Sequence, residues 1–523
     1  MVTAATVLIV GAGPTGLLLA AELRRRAVDC LLIDAHDKPL AWDRATVVHP
    51  RSIEIFDALG ISEPLLRAGV RQRLAHIHSN GMALGDIDLS LSGSRYPFNL
   101  GVSEEVTEAI LTDYLNRLGG TVTRSTRLVD LQQQEDGVLA NLVNDGEEQQ
   151  VYVQWVVGCD GHHSTVRSLA GIEQEGHEIE EPWAVFDTAI SGWPYSHEAN
   201  YAYLDATPII LTALPDQRWR VYLRPSSEDS DLVTDAAGTL AIYLPDATFT
   251  GVANPTRFHC HSKVAKQYRA GRLLLAGDAA HTCSPIQGHG MNSGLQDAFN
   301  LAWKLALVSE GRSSETLLDS YEAERRPVAL KFTASGDEAD HAQMLRDVDD
   351  RRARDAVIRE IFANPVTRHQ EAVAEAEHDI DYGASPIVMG ERNDALAPGQ
   401  LWPSDIAIRL ASGGAPGVDP FATRTGHTAI VVSNTLVQSD EVTALQRIVE
   451  AHSGSSIFDV GVTLGPRAPI SSELANIEPA MAERLGVRGL TLFVVRPDGY
   501  LGLRADEHHA DAMTAYVERI DAG

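Results

Sequence analysis

The first thirty-four residues constrain this chain most. Thr6–Val10 (TVLIV) is a short β-branched and apolar run that passes directly into GAGPTG. A helical pattern follows from Gly16 to Arg26, and Asp29–Asp34 (DCLLID) is a second buried run. Strand, glycine turn, helix and strand in so short a span predict two parallel neighbours of an α/β sheet. Each glycine of Gly11-x-Gly13-x-x-Gly16 then has a physical task. Gly11 permits the tight turn, Gly13 lets backbone amides approach a pyrophosphate, and Gly16 lets helix and strand pack closely. Pro14, with Thr15 after it, suits a first helical turn, where the missing N–H is not needed. The helix N-terminus turns partial positive charge toward phosphates. Asp34, 23 positions after Gly11, can accept a ribose hydroxyl. The segment therefore predicts an ADP-type ligand, and on this motif alone FAD and NAD stay equally open.

At 523 residues the chain exceeds one ordinary core, so two to four structural units are expected. A net charge of −29 leaves no basic stripe for nucleic-acid phosphates and disfavours anionic membranes. Around GAGPTG the apolar run reaches about eighteen residues, long enough to suggest a signal or a spanning helix. Met1–Ala5 carries no basic flank, however, and three glycines and a proline interrupt the run, so a soluble cytoplasmic protein is expected. Cys30, Cys159, Cys260 and Cys283 are scattered without CxxC or metal-type spacing and read as reduced, packed thiols.

Further along, Arg51–Leu59 and Glu104–Leu118 have helical apolar spacing, with strand-like segments between them in Gln72–Leu100. Val151–Gly158 and Arg272–Ala276 read as buried strands. From Glu178 to Phe258 short alternating runs, with a turn at Pro215-Asp216, predict an inserted antiparallel sheet. Leu295–Leu307 and Ser313–Phe332 read as helices, and charged helix is expected to continue through Asp337–Glu377. Ala384–Pro403 has linker composition, and HTAIVVS and LTLFVVRP beyond it mark a separate α/β unit.

Two more turns carry glycine and acid. Gly158-Cys159-Asp160-Gly161-His162-His163-Ser164, running on to Arg167, closes one strand, and Gly277-Asp278-Ala279-Ala280-His281 closes another. Taken in order, GAGPTG, CDGxxSxVR, LAGDAAH with GxGMNxGxQDAFNLAWKLA, and SYEAERRP at Ser320–Pro327 resemble the FAD-dependent class A aromatic monooxygenases. That family includes phenol hydroxylase, p-hydroxybenzoate hydroxylase and the polyketide hydroxylases, and the resemblance spans 1–395. It implies a Rossmann-like α/β FAD-binding domain with an inserted antiparallel β-sheet substrate domain. Residues 1–177 would form the first part of the FAD domain, with 72–100 contributing to the substrate region. The substrate sheet would be 178–258, and 259–395 the second FAD part with connecting helices. Residues 396–523, with VVRPDGYLGLRAD at Val494–Asp506, resemble the thioredoxin-like C-terminal domain of such relatives. No cysteine follows Cys283, so dithiol chemistry is excluded there and a structural or oligomeric role is expected.

The resemblance also assigns residues. Gly277 and Asp278 would contact the flavin ribityl chain, Asp160 and Gly161 would serve FAD and NAD(P)H, and Arg44 would contact FAD. A helix starting near Met291-Asn292, after Gly290, would offer N–H groups to the flavin pyrimidine edge, where charge builds on reduction. Pro285 matches a proline whose carbonyl lies over the active site. Its neighbour His289 replaces the Gln of the usual GGQG, which makes both catalytic candidates. His281, Cys283 and His289 read as parts of a cofactor turn rather than a metal site. Glu104 stands where relatives place a Gln before Thr107-Glu108, and a carboxylate cannot donate as an amide would.

The implied reaction uses tightly bound, non-covalent FAD with NADPH or NADH as a transient reductant. Oxygen adds at flavin C4a, and its distal atom passes to an activated phenolic or polycyclic aromatic ring. A base near the phenolic oxygen is expected, yet Thr46, at a position titratable in some relatives, cannot be one. His49, His289, Tyr201, Tyr203, Tyr222 and Arg224 are the candidates. His259 and His261, flanking Cys260, share one face of an expected strand without a third ligand nearby, so no metal is expected. Competing readings are an FAD-dependent oxidase, epoxidase or halogenase, the last lacking its WxWxIP-type signature here, and a non-catalytic flavin-binding scaffold. Partners are an aromatic substrate, O2 and NAD(P)H, without nucleic acid or membrane, and a homodimer stays open.

Overall fold

The computed structural model describes residues 5–39, 45–392, 396–405, 409–410, 425–433, 447, 458–464, 475–476 and 479–521. Its centre is a six-stranded sheet in the order Arg269–Ala270, Leu273–Leu275, Trp155–Gly158, Val7–Val10, Cys30–Ile33, Val122–Thr123. All neighbours are parallel except the first pair. Val7, Leu8 and Ile9 are completely buried, as strands covered on both faces must be. Each such side chain contributes roughly 1.5–3 kcal/mol of burial. The helices Pro14–Arg25 and His289–Ser309 join the same core through Leu17, Leu18, Leu295 and Leu301.

A seven-stranded sheet lies beside it, ordered Thr248–Phe258, Trp183–Ser191, Arg218–Leu223, Ile209–Leu214, Ala199–Tyr203, Leu74–Ser79, Met82–Asp88. Strand alternation sorts its residues cleanly. Ala184, Phe186, Tyr201, Tyr203, Leu211, Trp219, Val221 and Leu223 pack with Leu232, Ala236 and Leu240 of the helix Leu232–Tyr243. Trp183, Val185, Ile210 and Tyr222 face the opposite way and meet Ile286.

The C-terminal unit has a mixed sheet ordered Arg409–Leu410, Ala475–Asn476, Phe458–Leu464, His427–Ser433, Leu490–Val495, Leu501–Ala505, followed by the helix His509–Ile520. It docks through buried ions. Arg496 donates to both Glu324 oxygens at 2.7 and 2.8 Å, Lys304 reaches Glu324 at 2.7 Å, and Arg51 donates to the Asp498 carbonyl at 2.5 Å.

Three local expectations change. The charged helix is three helices, Asp319–Gln343, Val348–Ala363 and Pro365–Glu375. Asp347 and Asn364 cap the second and third, and Pro365 opens the last. His259 and His261 do not share a strand face, because Thr248–Phe258 ends before them and His261–Ala265 begins a new strand. The helix expected near Met291 begins at His289. None of the four cysteines forms a disulfide. Among the described residues no helix is long and apolar enough to cross a membrane.

Candidate active site

Four parallel strands end in register, and each delivers the chain to one of the motifs. Val10 pairs with Ile33 and with Gly158, and Gly158 with Leu275. Gly11, Asp34, Asp160 and Gly277 are thereby gathered along one carboxyl edge, the place where open α/β sheets bind ligands. Gly11 takes φ +101°, and a Cβ there would stand 2.3 Å from the Cys159 carbonyl oxygen. A Cβ on Gly16 would fall 2.0 Å from the Gly11 oxygen. These two glycines are therefore packing requirements. Gly13 is different, since a Cβ there would meet only Glu108 Oε1, at 3.9 Å. Gly161 and Gly290 likewise face open space. The helices beginning at Pro14 and at His289 have neither a side-chain cap nor an acidic residue in the first turn, so their leading amides suit an anionic ligand. Open glycine backbone, uncapped helix starts and an acid after the second strand together fit the FAD-type dinucleotide.

The acids divide into scaffold and surface. Asp34 Oδ2 accepts from Ala12 N at 2.8 Å, and Oδ1 accepts from His36 N at 2.9 Å. Asp160 accepts from Ser164 Oγ at 2.5 Å and from the amides of Thr165 and Val166 at 2.7 and 3.1 Å, capping the helix Thr165–Leu169. Burial outweighs these bonds and raises its carboxyl above the ordinary range. Asp278, by contrast, is exposed beside Gly277. Arg44 lies outside the described residues.

Residues that sequence reasoning left without a role hold the Gly277 turn. Asp297, fully buried, accepts from Gly277 N at 3.0 Å, His281 Nε2 at 2.7 Å and Arg325 Nε at 2.6 Å. Burial alone would raise the Asp297 carboxyl, but His281 and Arg325 hold it below the usual range. Arg167 ties the two acid turns together, donating to the carbonyls of Ala279 at 2.9 Å and His162 at 2.6 Å. Thr15 wedges in from the first motif, so that a Cβ on Gly277 or Gly294 would come within 2.7 or 2.3 Å of its hydroxyl. Asp297 and Arg325 sit in QDAFN and SYEAERRP, segments visible in the sequence, but nothing local marks them as partners.

Pro285 opens the short 3-10 turn Pro285–Gln287, whose Ile286 packs in the apolar group of Trp183, Val185, Tyr222 and Phe258. Gly288 follows at φ +71°, and the half-buried Met291 packs against the central core. The Asn292 amide is consumed internally, accepting from His49 N and donating to the carbonyls of Val47 and Gly288 at 2.8–2.9 Å. His289 is 5% exposed, with Nδ1 2.7 Å from Glu377 Oε1 and its ring stacked on Phe332 at 4.0 Å.

The base candidates separate by face. Tyr201 and Tyr203 lie under the helix Leu232–Tyr243, away from the Ile286 side, and burial raises both hydroxyls, Tyr201 to about 12. Arg224 is bound to Asp340 and to the Glu181 carbonyl and covers the Trp183 ring at 4.4 Å. Tyr222 does face Ile286, with its hydroxyl 2.8 Å from Thr46 Oγ1.

Comparison with known proteins agrees with this geometry. The family model described as FAD binding domain matches residues 4–335. The 6-methylpretetramide 4-monooxygenase of Streptomyces rimosus is 30% identical, over 98% of this chain and 93% of that protein. The anhydrotetracycline hydroxylase OxyS from Streptomyces rimosus superposes with a TM-score of 0.77 at 27% identity, covering 99% of each chain. Aklavinone-11 hydroxylase, solved with FAD and aklavinone, shares the fold at a TM-score of 0.79 and 22% identity over the whole of both chains. By its motifs, its sheet edge and these likenesses, the chain belongs to the FAD-dependent aromatic and polyketide monooxygenases.

Proposed function

We propose that this enzyme holds FAD along the carboxyl edge of its parallel sheet and hydroxylates a phenolic, polycyclic aromatic substrate seated against the Trp183–Tyr222–Ile286 wall. When bound, FAD supplies the activation of O2 with electrons from NAD(P)H. Everything else falls to the chain. The backbone amides of Gly13, Thr15 and Gly16 receive the pyrophosphate, Gly11 shapes the turn with its own N–H on the Ile33 carbonyl, Pro14 opens the helix, and Asp34 receives the ribose. Arg44, Asp160-Gly161 and Gly277-Asp278 complete the cradle. Gly290, Met291 and Asn292 open the helix whose N-terminus favours an anionic flavin edge. Pro285 would present its carbonyl to the substrate. His289, committed to Glu377 and Phe332, serves as a positioning residue in this reading rather than the catalytic one expected.

The apolar wall excludes water, while the Thr46–Tyr222 hydroxyl pair gives a phenol oxygen a partner that can donate or accept. A cytoplasmic setting is part of the proposal, one in which the scattered Cys30, Cys159, Cys260 and Cys283 stay reduced. The observation that carries the proposal is the gathering of Gly13, Asp160 and Asp278 at one sheet edge. Its test is turnover under 18O2 with a panel of polycyclic phenols and NAD(P)H. One labelled oxygen per product and substrate-stimulated NAD(P)H oxidation are expected. Tightly bound FAD without ligand-dependent turnover across the panel would favour a flavin-binding scaffold instead.

A further inference from the structure

Beneath the Pro285–Gly290 loop His289 and Glu377 belong to a buried side-chain cluster whose third member, His49, has no role in the reaction as proposed. His49, completely buried, precedes the helix Pro50–Ala58. Its Nδ1 is 2.7 Å from the Glu375 carbonyl oxygen, and its Nε2 is 3.1 Å from the Gln287 carbonyl oxygen. Carbonyl oxygens only accept, whereas a neutral imidazole has one N–H and one bare nitrogen. Either neutral tautomer would press a lone pair against an oxygen inside the protein, a costly arrangement. Both contacts become hydrogen bonds only when both ring nitrogens carry protons.

The surroundings balance that charge. Glu377 accepts from His289 Nδ1 and from Gln296 Nε2. Burial would raise its carboxyl, but the His289 hydrogen bond, the neighbouring imidazoles and the Arg325 guanidinium hold it below the usual range. Glu375 Oε1 stands 3.9 Å from His49 Nδ1 and is itself bonded by Asn99. His289 stacks between His49 and Phe332, at centroid distances of 5.4 and 4.0 Å. His49, His289 and Glu377 do bring three metal-ligating atoms within 4.8 Å of one another. A metal bound through His49 Nε2 would break its bond to Gln287, and one bound through His289 Nδ1 would break its bond to Glu377.

The position of the charge suggests its use. A Cβ on Gly288 would lie 3.1 Å from His49 Nε2, so the ring supports the turn directly. The His49 amide is also bonded to Asn292 in the first turn of the helix His289–Ser309. A cation at a helix N-terminus is unfavourable unless an anion joins it. We propose that His49 is a resident imidazolium that strengthens the Pro285–Gly290 loop's preference for the reduced, anionic flavin over the oxidised one. The inference rests on the reading that this loop meets the flavin.

Two measurements test it. Neutron diffraction from deuterium-exchanged holoenzyme crystals grown about one unit above the ordinary imidazole value of ~6.5 should show deuterium on both His49 nitrogens. A bare nitrogen would overturn the proposal. Redox titration of His49→Gln should show reduced FAD weakened about tenfold relative to oxidised FAD, which lowers the two-electron midpoint by about 30 mV. Glu377→Gln, which removes the counter-charge, should move the midpoint upward. Simple structural damage would not give opposite signs, and midpoints that stay fixed or move together would refute the role. Should His49→Gln not fold, the neutron result and Glu377→Gln still decide. Protein that never takes up FAD would sink the functional reading, while the protonation of His49 could still be read from the flavin-free enzyme.

Discussion

Gly13→Ala isolates cofactor binding from folding. Gly13 has φ −75° and ψ −176°, which alanine adopts freely, and its new Cβ would find only Glu108 Oε1 at 3.9 Å. Nothing in the fold resists the methyl group, and the entropy gained against glycine in the unfolded chain offsets alanine's weaker N-capping, so the flavin-free protein should unfold within about 1 kcal/mol of wild type. FAD binding is what suffers. Its pyrophosphate must come within about 2.9 Å of the turn's amides, through the space the methyl would fill. Losing one hydrogen bond to a charged group costs about 1.5–3 kcal/mol, or roughly a ten- to 150-fold rise in Kd. Gly16→Ala is the control, since its Cβ would fall 2.0 Å from the Gly11 oxygen and force the backbone apart. Such overpacking costs about 1–3 kcal/mol of fold stability. The assay strips FAD, follows thermal unfolding of each flavin-free variant, and titrates FAD by fluorescence quenching. Wild-type FAD affinity in Gly13→Ala would refute the placement of the pyrophosphate, and an undisturbed Gly16→Ala would refute the packing argument.

Other outcomes follow from the same contacts. Asp297→Ala leaves Arg325 and His281 buried without their anion, and urea unfolding should show a loss of about 3–5 kcal/mol together with weaker FAD retention. Burial would raise the Glu54 carboxyl, but His378, Arg51 and the Ser404 hydroxyl bring it down to about 2. A depressed carboxyl stabilises fully above its unfolded value of about 4.3, and that stability is lost as pH falls toward about 2. Glu54→Gln should therefore cost at most about 3 kcal/mol near neutrality, and the gap to wild type should close on acid titration. Burial, with Asp278 nearby, pushes the Cys283 thiol up to about 12, so iodoacetamide at pH 8 should label it only after unfolding. Tyr222→Phe removes one partner of the Thr46 bond and should raise KM for the phenolic substrate several-fold, with stability lowered by only about 1 kcal/mol.

What could be read in the sequence was local, and what escaped it was long-range. The turn at Gly11–Gly16 and the strand Cys30–Ile33 are encoded within one βαβ unit, so pattern and spacing sufficed for them. The division of the seven-stranded sheet into two faces also lies latent in its period of two. Which face meets the cofactor loop depends on Ile286 packing against Tyr222, and no spacing encodes that contact. For this reason Tyr201, Tyr203 and Tyr222 could not be ranked beforehand. Glu324 and Arg325, adjacent in SYEAERRP, enter separate networks, one toward Arg496 and the other toward Asp297. His49 meets Gln287 and Glu375 across 238 and 326 residues. A histidine between two carbonyls is invisible until the chain has folded. The split of the charged helix was legible in principle, since Asn364-Pro365 is a cap followed by a first-turn proline, but uniform charge masked it.

The most direct measurement is a crystal structure of the enzyme saturated with FAD. The account predicts one dinucleotide per chain, with its pyrophosphate at the Gly11–Gly16 turn, its ribose at Asp34 and its ring system reaching the loop ahead of His289. Flavin bound elsewhere, or a vacant sheet edge at saturating FAD, would contradict it.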